Sequence, residues 1–283
     1  MQISTKQCLI RKIRSHELEE AIHVFMRAFR RTDDEMLFQI TKTHWKNWQS
    51  SGLAEFYGAF LNDRLIAICL CFAFKRTASL GYMSVDLSYQ HQGVGRSLLE
   101  YIIHDLEQKR IFTIRLYATK MGEGLYNQHS FKEDYIGSIY ELNFREEINL
   151  KGLKVRTSSR IWPWIYSLDK EVYGDDRTKL LRFLIKNSRL IVKGRHGFAF
   201  IRNDTVGPVI AKNIPIFIDL LKYAYILGAK KLCYLTHDSH SLKVIDILHL
   251  VENTTMRCKR MIRGPPFIEN LSLPYAMYNF AIG

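Results

Sequence analysis

The chain has 283 residues, of which 47% are hydrophobic and 24% are charged. This composition is typical of a globular protein and excludes general disorder, a collagen-like repeat and a small disulfide-stapled domain. At about 150 residues per domain, the length predicts two domains or one large one.

The charge of the chain is strongly asymmetric. Lysine and arginine together exceed aspartate and glutamate by 13. Residues 1–150 contain 19 basic and 18 acidic residues, so nearly all of the excess lies in the second half. This shift in composition favours two domains, which we expect at 1–149 and 150–283. A basic surface favours anionic partners such as nucleic acid, acidic protein or phosphorylated metabolites.

Cysteine usage and hydropathy indicate a cytoplasmic protein with no membrane contact. The five cysteines are an odd number without C-x-x-C spacing, which is typical of free thiols in a reducing compartment. The N-terminus lacks the apolar region of a signal peptide, and the longest apolar run, residues 65–74, is too short for a spanning helix. His237 and His240 form H-x-x-H without a third ligand nearby, so no metal site is predicted.

Hydrophobic periodicity predicts the elements of the first half. In chain order we expect a strand at 8–14, helices at 17–30 and 33–48, strands at 54–61, 65–75 and 78–87, a helix ending near 109, a strand at 111–117, a short helix at 122–128 and a strand at 135–143.

A glycine-rich turn, residues 90–96 with the sequence QHQGVGR, follows the strand predicted at 78–87 and opens the next helix. Such a turn leaves backbone N–H groups unpaired at the positive end of the helix dipole. Glycine also lets a ligand approach the main chain closely. The pattern therefore indicates an anion site suited to a pyrophosphate, with an ordinary loop containing two glycines as the alternative.

The context of this turn resembles the GNAT superfamily of N-acetyltransferases. Residues 85–95, VDLSYQHQGVG, are similar to the family motif V-D-P-x-Y-R/Q-x-x-G-x-G/A. The family's following motif, N-x-x-A-x-x-L-Y-x-x-x-G-F, is matched by Thr119, Gly122, Leu125-Tyr126 and Ser130-Phe131. The resemblance covers roughly residues 8–146. It implies an α+β fold, a mixed α/β arrangement in which helices cover both faces of a mixed central sheet.

The resemblance also implies acetyl-CoA as the acyl donor and no metal cofactor. The pyrophosphate would bind the turn, and the pantetheine arm would pair with the strand edge before it, in a wedge between that strand and the next. The implied cofactor-binding residues are Met83, Ser84, Val85, Gln90, His91, Gln92, Gly93, Val94, Gly95, Arg96, Ser97, Thr119 and Tyr126.

Two residues are candidates for catalysis. Tyr126 matches the family's tyrosine that acts as general acid, with a packed aromatic residue as the alternative. Some family members have a glutamate as general base where this chain has Ser79, so Glu55 on the neighbouring strand is the substitute candidate, and a water chain is another. Thr119 and Ser130 also replace the family's asparagine and glycine.

The second half repeats this element order without the glycine-rich turn. We expect helices at 162–172 and 177–187, strands at 190–193, 197–201 and 205–210, a helix at 216–227, a strand at 231–236, a helix at 240–249 and a strand at 254–260. It resembles the degenerate acetyltransferase-like domain that follows an active domain in some GNAT proteins. The matching residues are Asp169, Tyr173-Gly174, Asp176-Arg177, Gly194-Arg195, Gly197-Phe198, Arg202, Gly207-Pro208-Val209 and Ala211. These residues carry no identified chemistry, and the plain alternative is that Asp176 and Arg177 form a helix cap and a surface pair.

The combined prediction is a tandem GNAT-like protein that transfers acetyl from acetyl-CoA to a primary amine by direct attack on the thioester. The acceptor would be a small molecule or a protein, neutral or acidic if the basic half lines the site. A non-catalytic acyl-CoA sensor is one alternative, because the glutamate base is missing. A nucleic-acid or ribosome-associated module is another. Its basic stripes would be Lys151, Lys154, Arg156 and Arg160, or Arg257, Lys259, Arg260 and Arg263.

Overall fold

A computed structural model describes residues 8–144, 148, 150–236, 239–265 and 269–282. The first half contains β1 (Leu9–Lys12), α1 (Leu18–Ala28), α2 (Glu35–Ser50), β2 (Glu55–Leu61), β3 (Arg64–Ala73), β4 (Thr77–Val85), α3 (Val94–Gln108), β5 (Thr113–Ala118), α4 (Glu123–Asn127) and β6 (Lys132–Glu141).

The second half adds twelve elements among the described residues. They are α5 (Leu150–Leu153), β7 (Arg156–Ser158), α6 (Pro163–Tyr173), α7 (Thr178–Asn187), β8 (Arg189–Lys193), β9 (Gly197–Arg202), β10 (Thr205–Ala211), α8 (Ile214–Ile226), β11 (Lys231–Thr236), α9 (Ser239–Ile247), β12 (Val251–Arg263) and β13 (Tyr275–Ala276). All predicted helices and strands are present with shifted ends. The sequence analysis missed α5, β7 and β13, which are too short to show a period.

The strands form one continuous mixed sheet that runs through both halves. Its order is β1-β2-β3-β4-β5-β12-β6-β11-β10-β9-β8-β7, and β13 pairs with β10. The pairs β4–β5 and β10–β11 are parallel, and the other described pairs are antiparallel. This confirms the predicted mixed α/β fold class, with the addition that the two sheets are joined.

The halves are joined by an exchange of strands at the centre of the sheet. β12 lies between β5 and β6, and β6 lies between β12 and β11. Each half therefore borrows the last long strand of the other. The predicted boundary at 149/150 falls between β6 and α5, and it stays a prediction, but a cut there would leave each half with an unpaired strand edge.

Alternation along the strands divides the core between the two faces of the sheet. Phe56, Ile68 and Phe72 point to the face covered by α1, α2, α6 and α7. Cys69 and Cys71 share the opposite face, under α3, as their spacing predicts. Beneath α8, a third cluster covers that opposite face in the second half. No helix among the described residues is both long and apolar enough to cross a membrane.

Candidate active site

The turn before α3 is built to expose backbone amides. Gly93 at the start of the helix has φ 81°, a left-handed conformation that suits glycine. The first helical bond runs from the Ser97 amide to the Gly93 carbonyl at 3.0 Å. The amides of Val94, Gly95 and Arg96 therefore have no acceptor within the helix, and no side chain in the described part caps them.

Side chains on both sides of the turn hold it in place. Buried Asp86 accepts a hydrogen bond from the Ser88 amide at 3.2 Å and forms an ion pair with Arg27 at 2.7 Å. The Gln90 amide group donates to the Val85 carbonyl at 3.0 Å. The turn is therefore positioned before any ligand arrives.

The strands β4 and β5 separate beside this turn. Their parallel pairing covers Thr77 to Leu80, where Leu80 lies opposite Leu116. Beyond that pair β4 contains a bulge, with Tyr82 at φ 56°, and the register against β3 shifts. The edge of β4 at Met83, Ser84 and Val85 therefore faces the opening and can pair with an amide-bearing ligand.

The predicted cofactor residues converge at this opening. A Cβ placed on Gly95 would lie 3.4 Å from Val85 and 3.7 Å from Leu125, so the turn, β4 and α4 meet there. The Arg96 guanidinium donates to the Gln128 side chain at 2.6 Å, which ties the turn to the end of α4. Thr119 is exposed and lies in the wall of a larger cavity beside the wedge.

Tyr126 on α4 is 8% exposed and belongs to the core cluster that packs under α3. Its ring packs against Phe131 with 5.7 Å between the ring centroids. Burial raises the pKa of the phenol, and nearby Cys69 raises it further. Cys69 in turn faces the Gly81 carbonyl at the bulge. A phenol in these surroundings stays protonated at neutral pH and can donate a proton.

Glu55 lies at the opposite end of α3, and the geometry does not support a role as base. Its carboxylate binds Lys109 at 2.6 Å and Lys12 at 2.9 Å, and accepts a hydrogen bond from Tyr57. Burial opposes its ionisation, but these partners lower the pKa to about 2. Lys109 follows α3, whose 15 residues span about 22 Å, so Glu55 is far from the turn.

Ser79, the position of the missing glutamate, is buried and pairs across the sheet with Arg115. It shares a small cavity with Glu269, a residue that the sequence analysis did not consider. Burial opposes the charge of Glu269, but Arg115 and Arg260 outweigh it and lower the pKa. Glu269 is thus held as an ion-pair partner and is poorly suited to accept a proton.

A cavity of about 620 Å³ opens beside the wedge, between the two halves. The first half contributes Phe25, Trp48 and Tyr82, and the second half contributes Arg202. Part of the wall is the C-terminal segment, residues 278–281. A Cβ on Gly81 would lie 2.7 Å from the Ala281 Cβ, so this segment approaches the β4 bulge closely.

Two domain profiles of the acetyltransferase (GNAT) type match the sequence, one over residues 52–133 and the other over residues 165–276. Together they cover the turn and the wedge of the first half and most of the second half, including β12. The chain belongs to the GNAT superfamily. No curated protein matches its sequence significantly.

Solved GNAT structures share the tandem arrangement. A provisionally assigned acetyltransferase from Pyrococcus horikoshii superposes with a TM-score of 0.87 at 24% identity, over 99% of this chain and 98% of the other. A GCN5-related N-acetyltransferase from Sphaerobacter thermophilus has a TM-score of 0.59 at 13% identity, over 93% and 98% of the two chains. At these identities the likeness is one of fold.

Within the described residues, the second GNAT domain has neither the uncapped helix start nor the open gap between parallel strands that the first domain has. At the start of α8 the Asn213 side chain accepts the Ile216 amide at 3.0 Å, and Pro215 has no N–H to offer. The gap between β10 and β11 is filled by the chain's own C-terminal residues. Ile210 pairs with Tyr275, and the Met277 amide donates to the Cys233 carbonyl at 2.9 Å.

The residues that match the second-domain motif are structural. Arg177 and Asp169 form a fully buried ion pair at 2.7 Å, so the interpretation of Arg177 as a surface residue is wrong. The Asp176 side chain accepts the Thr178 amide at 2.9 Å; Asp176 lies one residue before Arg177, which is the N-cap of α7 and makes no side-chain capping bond. A Cβ on Gly207 would lie 2.0 Å from the Met277 carbonyl oxygen, so only glycine admits the C-terminal segment.

Three of the four cations in the basic stripe on β12 pair with carboxylates of the first half. Lys259 binds Glu123 at 3.0 Å and Glu133 at 2.9 Å, and Arg263 binds Glu107 at 3.1 Å. Arg260 is buried between Asp134 and Glu269. These cations join the two halves, and their contacts do not favour the nucleic-acid alternative. The side chain of Lys151 lies outside the described residues.

Metal binding has no support among the described residues, which contain no group of three metal-ligating side chains. The side chains of His237 and His240 lie outside that part of the chain. All five cysteines are free thiols.

The sequence analysis missed three parts of the site. His44 and Tyr82 line the cavity, but no sequence motif set them apart. The C-terminal segment follows no periodic pattern. Arg202 was matched to the second-domain motif without a role, and only the cavity shows where its side chain lies.

Proposed function

We propose that the chain is an acetyl-CoA-dependent N-acetyltransferase whose chemistry takes place in the first domain. One observation carries this proposal: the uncapped amides of α3 and the open edge of β4 meet at the same place. Both groups of polar atoms require partners, and the residues that the structure describes supply none there. A ligand with a pyrophosphate and an amide-bearing arm satisfies both.

The residues that would hold acetyl-CoA follow from this geometry. The amides of Val94, Gly95 and Arg96 would bind the pyrophosphate at the positive end of α3. Ser97 uses its amide within the helix, so only its hydroxyl is free to contribute. The β4 edge at 83–85 would pair with the pantetheine arm. When bound, acetyl-CoA supplies the thioester that the acceptor amine attacks.

Tyr126 would protonate the departing thiolate. Its raised pKa keeps the phenol protonated at physiological pH, and its neighbour Cys69 faces the Gly81 carbonyl at the β4 bulge. Proton transfer by a positioned side chain contributes roughly 10²–10⁴-fold to a rate. The cavity wall contains no carboxylate among the described residues, so water would take the amine proton.

The proposal is tested by isothermal titration of the full chain with acetyl-CoA and by a thiol-release assay over a panel of amines. We expect acetyl-CoA to bind and CoA thiol to be released only when an amine is present. Absence of binding at high protein concentration would overturn the proposal. Binding without release for any amine would favour the acyl-CoA sensor. A cytoplasmic location, where the cysteines stay reduced, is part of the same proposal.

A further inference from the structure

The cavity between the two halves has an apolar body. Aromatic side chains line it on three sides: Phe25 and Trp48 from α1 and α2, Tyr117 from β5, and Phe280 from the C-terminal segment. At about 620 Å³ it lies within the range of small-molecule sites. It adjoins Thr119 and the bulge at Tyr82, so it opens onto the position that the thioester would occupy.

The charged lining of this cavity is entirely basic within the described residues. It contains the side chains of Arg31, Arg202, Lys231 and Arg257, and no aspartate or glutamate. Three of these cations have a carboxylate within 4 Å: Arg31 with Asp34 at 3.3 Å, Lys231 with Asp204 at 2.8 Å and Arg257 with Glu252 at 3.9 Å.

Arg202 differs from the other three. The only side-chain partner recorded for it in the described part of the chain is the Tyr278 hydroxyl, to which its guanidinium donates. A guanidinium held over an apolar cavity without a carboxylate partner is a ready binding group for an anion.

The positive charge of Arg202 influences two side chains of the first half, His44 and Tyr82. Burial and, as the second cause, the positive charge of Arg202 together lower the pKa of His44 to about 4. The pKa of Tyr82 is raised to about 12 by burial, against the opposing effect of Arg202. Because Tyr82 lies at the β4 bulge, the positive field covers the place where the acceptor amine would stand.

We infer that this cavity binds an acceptor amine that carries an anionic group on an apolar or aromatic body, and that Arg202 determines this specificity by binding the anion. The inference rests on the proposed function and names its substrate class. The same positive field disfavours an ammonium and favours a neutral amine, which reduces the need for a strong general base. Polycationic acceptors such as polyamines would be repelled.

The test uses acceptors that share an aromatic body and a primary amine and differ in the group beside that amine: phenylalanine, phenylalaninamide and the phosphonate analogue of phenylalanine. We expect kcat/KM for phenylalanine to exceed that for phenylalaninamide by at least about 10-fold. Arg202→Gln should lower kcat/KM for phenylalanine by about 10²-fold, since a charge-assisted hydrogen bond is lost, and should change that for phenylalaninamide much less. Arg202→Lys should retain part of the preference. The phosphonate arm distinguishes a carboxylate site from a phosphate site.

The matched control is Arg189→Gln, which removes an exposed arginine on the neighbouring strand β8 and should change neither acceptor. Thermal unfolding of all variants shows whether the fold is kept. Equal losses for both acceptors, or a wild-type preference for phenylalaninamide, would overturn the inference.

The two proposals fail in different ways. If acetyl-CoA does not bind, the proposed function fails, but calorimetry with phenylalanine and phenylalaninamide alone still tests the cavity. In that case we expect phenylalanine to bind more tightly to the wild type than to the Arg202→Gln variant. Equal binding of the two acceptors by the wild type would overturn the inference by itself.

Discussion

The two halves of this protein have the same element order and the same mixed sheet, yet they differ at one corresponding pair of helix starts. In the first half α3 begins at an uncapped Gly93, so three amides are available to a ligand. In the second half α8 begins with Asn213, whose side chain satisfies an amide, and with Pro215, which has none. A few residues thus decide whether this fold binds an anion or closes the site.

The halves differ again at the gap between their parallel strands. The gap between β4 and β5 is open, whereas the gap between β10 and β11 contains residues 275–277 of the same chain. In the second half a peptide strand occupies the place of a cofactor arm. We interpret the first half as the binding half and the second half as the one that braces it and shapes the acceptor cavity.

The largest expected effect concerns this bracing role. Arg177→Met leaves Asp169 buried without a partner, and we expect a loss of about 3–5 kcal/mol in the free energy of unfolding, measured by urea titration. The double variant with Asp169→Leu should recover much of that loss, because the unpaired charge is gone. Loss of acetyl-CoA binding at unchanged stability would contradict a purely structural role.

Tyr126→Phe tests the chemistry of the first half. We expect kcat to fall about 10²-fold, since the proton donor is removed, while the Kd for acetyl-CoA stays within about 3-fold. The control is Tyr101→Phe, which removes an exposed hydroxyl on α3 and should leave kcat unchanged. An unchanged kcat for Tyr126→Phe would assign the tyrosine to packing alone.

Placing a side-chain cap on α3 tests whether its uncapped start is what binds acetyl-CoA. Gly93→Asp places a carboxylate at the α3 amides, and aspartate tolerates a left-handed φ better than most residues. We expect the Kd for acetyl-CoA to rise at least about 10-fold in calorimetry.

The counterpart in the second half is Asn213→Ala. It should cost about 1 kcal/mol of stability, because a helix cap is lost, and leave the Kd for acetyl-CoA unchanged. If both variants weakened acetyl-CoA binding equally, the functional distinction between the two helix starts would fail.

Glu55→Gln should have the smallest effect. We expect kcat/KM to stay within about 2-fold and stability to fall by less than about 1 kcal/mol, because the ion pairs are partly exposed. The folded-state pKa is lowered to about 2, so the stabilisation is present above about pH 4.5 and is lost as the pH falls towards 2. Urea titrations of both proteins over that range measure it. A large fall in kcat would restore Glu55 as a candidate base.

Local sequence patterns were enough to predict the helices and strands, the glycine-rich turn and the unequal charge of the two halves. Hydrophobic period and turn composition act over a few residues, so the strands β2, β3 and β4 and the helices α3 and α7 could be predicted. The turn at 90–96 was likewise readable, because glycine spacing and the following helix start are local features.

Only the tertiary structure decided which strands pair and which residues share the cavity. Alternation along β6 and β12 sets the face of each side chain but not the neighbour of each strand, so the exchange at the centre of the sheet leaves no local signal. Arg202, Tyr82 and Ala281 meet because long-range packing brings them together. The excess basic charge of the second half is explained in the same way. Cations on β12 form ion pairs with carboxylates of the first half, and Arg202 lines the acceptor cavity.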